Sequence, residues 1–172
     1  MRGTPIWLHS ALLISSVRES LLPSLMTVGV LILSRVKVTD IPGYDRLVKL
    51  GTERKGAILF DVGCCFGTDI RKMAADGWPA DSILGTDIEP KFWELGHRLF
   101  CSTADTFPAV FLPGDIFDLT HLDPVSAEDR TLLHRGPTPM PPLRSLTSLS
   151  PLRGYVAAIH AGAFFHLFSE ER

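Results

Sequence analysis

Apolar residues in this chain cluster into short runs separated by amphipathic stretches. Residues 57–60, Ala-Ile-Leu-Phe, are apolar without alternation, the pattern of a parallel strand buried on both faces. Similar short runs at 82–87, 109–112 and 155–160 predict three further strands. Between the first two, residues 68–76 predict a helix stopped at Gly77-Trp78-Pro79. Residues 90–101 predict another, with Pro90 in its first turn and an apolar stripe of Phe92, Leu95, Leu99 and Phe100. A turn at Ile41-Pro42-Gly43 precedes a helix over 44–50, and residues 164–172 read as the start of a last helix. Strands alternating with helices predict an α/β fold: a Rossmann-like, doubly wound parallel sheet of about four strands, preceded by N-terminal helices.

The flanking patterns are less regular. Residues 6–14 and 21–33 are apolar but interrupted by His9 and Ser10 and by Pro23 and Gly29. Neither reaches the roughly 20 apolar residues needed to span a bilayer, so packed helices and no membrane span are expected. Arg2 before the first run gives it the outline of a secretory leader, but Ser16-Val17-Arg18-Glu19 makes a poor cleavage site, and a cytoplasmic location is expected. Residues 123–154 are rich in Pro, Ser and Thr and contain Pro137-Thr-Pro-Met-Pro-Pro142. Proline at that density cannot propagate a helix or enter a central strand, which predicts an extended surface insertion. The expected organisation is an apolar segment over 1–40 and one domain over 41–172 carrying that insertion.

Composition narrows the partners. A length of 172 residues suits a single domain, and a net charge of −2 without basic–aromatic stretches gives no reason to expect nucleic acid. Three cysteines, with Cys64 and Cys65 adjacent, fit neither a disulfide framework nor a spaced metal motif, so no metal is expected.

The densest chemistry follows the first strand, in Asp61-x-Gly63-x-Cys65-x-Gly67. Gly63 permits a sharp turn, Gly67 permits close helix packing, and Thr68 or Asp69 is placed to cap the helix that follows. The orphan N–H groups and positive dipole end of that helix face the crevice where ligands bind in such folds. Cys65 stands where a dinucleotide fingerprint wants a glycine beside the pyrophosphate, which disfavours a nicotinamide cofactor. An acid before the loop suits an amine. Asp87, twenty residues beyond Gly67 at the end of the second strand, suits two ribose hydroxyls. Amine, ribose and no phosphate describe S-adenosylmethionine.

These residues, with Leu59–Lys72 as a block, Asp76-Gly77, Gly85-Thr-Asp-Ile-Glu-Pro90, Asp115-Ile-Phe-Asp118 and His160-Ala-Gly-Ala-Phe-Phe-His-Leu-Phe168, carry a resemblance. The chain resembles the class I S-adenosylmethionine-dependent methyltransferases, and more narrowly the fungal secondary-metabolism branch that includes terpenoid and meroterpenoid O-methyltransferases. The resemblance covers about residues 40–172. It implies that Asp61, Gly63 and Gly67 surround the methionine half of the cofactor and that Asp87 holds the ribose. It further implies Ile88 and Ile116 on the two faces of the adenine, Asp115 on its amino group, and backbone near His160 and Ala161 closing the methionine end. His160 and His166 are the candidates for a base toward a small-molecule acceptor, with packing an equal alternative for His166. The family's sheet has seven strands and this sequence carries four, which implies a C-terminally truncated domain prone to self-association through its incomplete sheet. Two functions stay open: a small-molecule O-methyltransferase, or an inactive relic that keeps S-adenosylmethionine binding.

Overall fold

The computed structural model describes residues 35–124, 142–162 and 164–165. The helices expected in 6–14 and 21–33, the Pro-rich centre of the insertion and nearly all of the helix expected over 164–172 lie outside the described residues. In chain order the elements are α1 (Tyr44–Glu53), β1 (Ile58–Val62), α2 (Thr68–Ala75), β2 (Ile83–Thr86), α3 (Pro90–Leu99), β3 (Val110–Phe111) and β4 (Val156–His160). Short 3-10 turns occupy Val38–Asp40, Ala80–Ser82, Leu143–Ser145 and Ser150–Leu152.

The four strands form one parallel sheet in the order β3-β2-β1-β4. Chain direction across the sheet therefore reverses at β1. Right-handed crossovers put the helices that lead from β1 to β2 to β3 on one face, and then oblige the connection from β3 to β4 to cross the other. The core follows that rule. On the helix side, Leu59 and Ile83 pack with Ile70, Met73, Trp78 and Trp93. On the opposite side, Ile58, Phe60, Val62 and Leu84 pack under Leu143, Leu146, Leu149 and Leu152.

Those four leucines recur every third residue because two of the turns that carry them are 3-10, where side chains three apart eclipse. Residues 142–152 are thus core lining rather than the expected surface insertion. Among the described residues, no α-helix contributes to this second face; short turns replace the helical layer of a doubly wound sheet.

Strand ends shift by a residue or two from expectation. β1 runs past the apolar stretch through Asp61 and Val62, because both its neighbours continue alongside and pair Asp61 with Gly85 and His160. A buried carboxylate is tolerated in mid-sheet when a partner satisfies it, and His160 does so. β2 begins one residue late because Ser82 ends a 3-10 turn. Trp93 of α3 stacks on Phe111 of β3, ring centroids 5.2 Å apart at 9°. Gly96 of the same helix has no room for a Cβ: one would overlap the Phe66 carbonyl. That helix therefore bears directly on the loop after β1.

Candidate functional site

The loop after β1 is shaped from outside as much as by its glycines. Gly63, Cys65 and Gly67 all adopt left-handed backbone, with φ of +68°, +51° and +67°. The N–H groups of Gly63 and Cys64 donate to the Thr86 carbonyl at 2.9 and 3.1 Å. Cys65, the residue for which this conformation is unfavourable, is held by donating its N–H to Asp87 Oδ2 at 2.9 Å. On the far side, Arg71 Nη1 donates to the carbonyls of Phe66 (3.1 Å) and Gly67 (3.4 Å), and Nη2 donates to Ser102 Oγ. The guanidinium lies 4.4–5.3 Å from the ring centres of Phe107, Phe100 and Trp93. Burial lowers its pKa to about 10, and it forms no ion pair with a carboxylate among the described residues. Three π-faces stand in for a counter-ion. Sequence reading missed this clamp; the only signal was an arginine on the apolar side of an amphipathic helix.

Gly67 itself is the N-cap of α2, and neither side chain expected to cap it does so. The left-handed turn tucks Thr68 into the wall, where its Oγ1 is buried and without a hydrogen-bond partner. Asp69 Oδ1 instead accepts the backbone N–H groups of Lys37 (2.7 Å) and Val38 (3.0 Å). This straps the segment before α1 over the mouth of the loop.

Between strap, loop and β4 lies a cleft with about 410 Å³ of empty space, its open mouth included. It is lined by Arg35 and Lys37 of the strap, Asp61 of β1, Gly63, Cys64 and Cys65 of the loop, Thr68 and Asp69 of α2, and His160 and Gly162 at the end of β4. It sits at the carboxyl end of the sheet where strand order reverses, the place where open α/β sheets bind ligands. Asp61 Oδ1 and His160 Nδ1 are 2.9 Å apart, and both side chains are buried. Burial raises the Asp61 carboxyl above its usual value, more than its bond to His160 lowers it. Burial pulls the His160 imidazole down, but the bond to Asp61 and the charges of Asp61 and Asp69 outweigh this and leave it raised. His160 Nε2, in a residue only 7% exposed, has no hydrogen-bond partner. Its nearest acid is Asp69, with Oδ2 4.0 Å away.

The chain is 28% identical over 144 residues to the O-methyltransferase atr3 of Stereocaulon alpinum, a match covering 84% of this chain and 34% of that protein. It is 26% identical over 143 residues to the O-methyltransferase phiE of Fungal sp. (strain ATCC 74256), covering 83% and 38%. The methyltransferase adrK of Penicillium rubens is 34% identical over 83 residues, covering 48% and 29%. The relatives this chain resembles are fungal methyltransferases by name. The chain spans 34–38% of the length of the two relatives matched over most of it. No protein-family model and no solved structure matches it.

The described residues among those singled out by sequence fall along one edge of the sheet. Asp61, Gly63 and His160 line the cleft. Gly67 lies behind it, where a Cβ would meet Trp93 and the Arg71 guanidinium at 2.7 Å. Ala161 is half-buried and packs on the second-face core. Asp87 follows β2; its Oδ1 accepts the Glu89 N–H at 3.0 Å, and its carbonyl accepts from Gly114 at 3.0 Å. That last bond draws the loop bearing Asp115 and Ile116 alongside Asp87. Asp115 is exposed, with Oδ1 accepting the Phe117 N–H; Ile116 is half-buried. Ile88 is 73% exposed. His166 lies outside the described residues. Among the described residues no helix is long and apolar enough to cross a membrane.

Proposed function

We propose that this chain binds S-adenosylmethionine along the carboxyl edge of its sheet and serves O-methylation of a small molecule. The acceptor class that the sequence resemblance implies is a fungal secondary metabolite of terpenoid or meroterpenoid type. One observation carries the reading: the cleft at the reversal point of the strand order contains two buried polar atoms without partners, His160 Nε2 and Thr68 Oγ1. Buried polar groups in folded proteins are otherwise paired, so unpaired ones on residues that line a cleft suit a polar ligand.

The donor set suits the cofactor's parts. Two cations, Arg35 and Lys37, and two carboxylates, Asp61 and Asp69, in one cleft match the zwitterionic end of an amino acid. Asp87 keeps lone pairs beyond its bonds to Cys65 and Glu89 for ribose hydroxyls. Ile88, a large apolar side chain left in solvent beside them, offers an adenine a platform, with Ile116 and Asp115 across the same edge. When bound, S-adenosylmethionine supplies a methyl group already activated on its sulfonium. The chain's work is then to grip the cofactor's two ends, fix the direction of the methyl group and exclude water.

Isothermal titration with S-adenosylhomocysteine and with NAD tests this directly. Saturable binding of the first and none of the second is expected; binding of NAD alone would sink the reading. Methyl transfer from labelled S-adenosylmethionine into a fungal metabolite extract then tests the acceptor class.

A further inference from the structure

The acid before the glycine loop is expected to face the amine of the ligand, but here its charge already has a partner. Asp61 Oδ1 is bound to His160 Nδ1 at 2.9 Å, and the Asp61 side chain is only 4% exposed. A different carboxylate is available. Asp69 Oδ1 is spent on the backbone of Lys37 and Val38, while Oδ2 points toward His160 Nε2, 4.0 Å away across the end of the cleft. Gly162 keeps that gap open: a Cβ there would come within 2.9 Å of Nε2 and 3.5 Å of Oδ2. Nε2 is buried and unpartnered.

We propose that the ligand's α-ammonium sits between His160 Nε2 and Asp69 Oδ2, while Asp61 positions the imidazole and does not itself take the amine. Two hydrogen bonds of about 2.7–3.2 Å from one nitrogen span acceptors 4.0 Å apart. The arrangement needs a specific tautomer. With the Nδ1 proton donated to Asp61, Nε2 presents a lone pair; with Nε2 also protonated, it presents a cation. The gap accommodates one positive group at a time, either the imidazole proton or the ammonium. The groups facing the imidazole are Asp61 from β1, Asp69 from α2, and Lys37 and Arg35 from the strap. Lys37 and Arg35, in the segment bound to Asp69, line the same cleft and stand ready for the ligand's carboxylate.

The inference rests on the reading that this cleft takes S-adenosylmethionine, and the test separates the two. Titrate the wild type and Asp69→Asn with S-adenosylhomocysteine and with its counterpart lacking only the amino group. Asparagine keeps an oxygen for Lys37 and Val38, and a thermal melt checks that it folds. The wild type should prefer the amine-bearing ligand by about tenfold or more, as a charge-assisted hydrogen bond predicts. Asp69→Asn should abolish that preference while changing affinity for the des-amino ligand less than about twofold. A preference retained in Asp69→Asn, or an equal loss for both ligands, overturns the assignment. Wild-type protein binding neither ligand overturns the cofactor reading itself. Titration of the wild type in two buffers of different ionisation enthalpy gives a second readout that needs no variant. Near neutral pH the amine-bearing ligand should release a proton on binding and the des-amino ligand should not; no difference between them would also overturn the proposal.

Discussion

Replacing Leu149 with alanine tests whether residues 142–152 form the second layer of the core. Leu149 is 3% exposed and packs with three other leucines of the crossover over Ile58, Phe60, Val62 and Leu84. Truncating a buried leucine removes its transfer free energy and leaves a cavity, together costing about 2–5 kcal/mol. The backbone bond from Leu149 N–H to the His121 carbonyl survives the change. The layer is built of short turns, which relax into a void more readily than a braced helix, so a loss near 3 kcal/mol is expected. For a chain of 172 residues that is a fall in Tm of about 6–12 °C. Urea unfolding followed by tryptophan fluorescence is a suitable assay, because Trp78 and Trp93 report from the opposite face. Leu119→Ala is the control: Leu119 is 63% exposed and should change stability by no more than about 0.5 kcal/mol. If the two variants unfold at the same urea concentration, the segment is a tolerated insertion after all and the account of the second face is wrong.

Three further outcomes are expected. Asp87→Ala should weaken S-adenosylhomocysteine binding at least tenfold by titration calorimetry, since it removes a charged acceptor worth about 1.5–3 kcal/mol; unchanged affinity would take Asp87 out of the site. Gly96→Ala should lower the Tm and displace the glycine loop, because the new methyl has no room against the Phe66 carbonyl; a wild-type melt would contradict that contact. The apoprotein should lose stability as pH rises through and above neutrality. A raised His160 stabilises fully below the unfolded imidazole value of about 6.5 and loses that contribution as pH climbs through its folded value, and a raised Asp61 has the same sign. His160→Gln should flatten the dependence measured by urea midpoints across that range, and an unaltered slope would assign it to other groups.

Much of this was legible in the chain. Unalternating apolar runs marked β1 and β2 because central parallel strands are buried on both faces, similar runs marked the half-buried outer strands β3 and β4, and the acids and glycines at their ends marked the edge where the cleft forms. The misses have physical causes. Leu143, Leu146, Leu149 and Leu152 repeat with a period of three, which matches neither the helical nor the strand template, and proline around them reads as loop. Asp69 fits the sequence pattern of a helix cap, but its partners, Lys37 and Val38, lie more than thirty residues earlier, a contact no local pattern encodes. The Asp61–His160 pair spans 99 residues and becomes visible only once β1 and β4 are neighbours.

The Arg71 clamp has a consequence for how such a loop can vary. Arg71 and Asp87 grip main-chain atoms of residues 65–67 and touch none of their side chains, while α3 holds Phe66 by its main chain and by its ring, which packs on Phe92, Leu95 and Leu99. The outline of the loop is therefore shared between Gly63 and Gly67 and its surroundings, and position 65 is released from the duty of bending the chain. That is how a cysteine occupies a left-handed position that a glycine would fill more easily. Changes at Cys65 should alter what the cleft prefers while leaving its contour intact, whereas changes at Cys64, which packs in the helix-side core, or at Arg71 or its three rings should blur the contour.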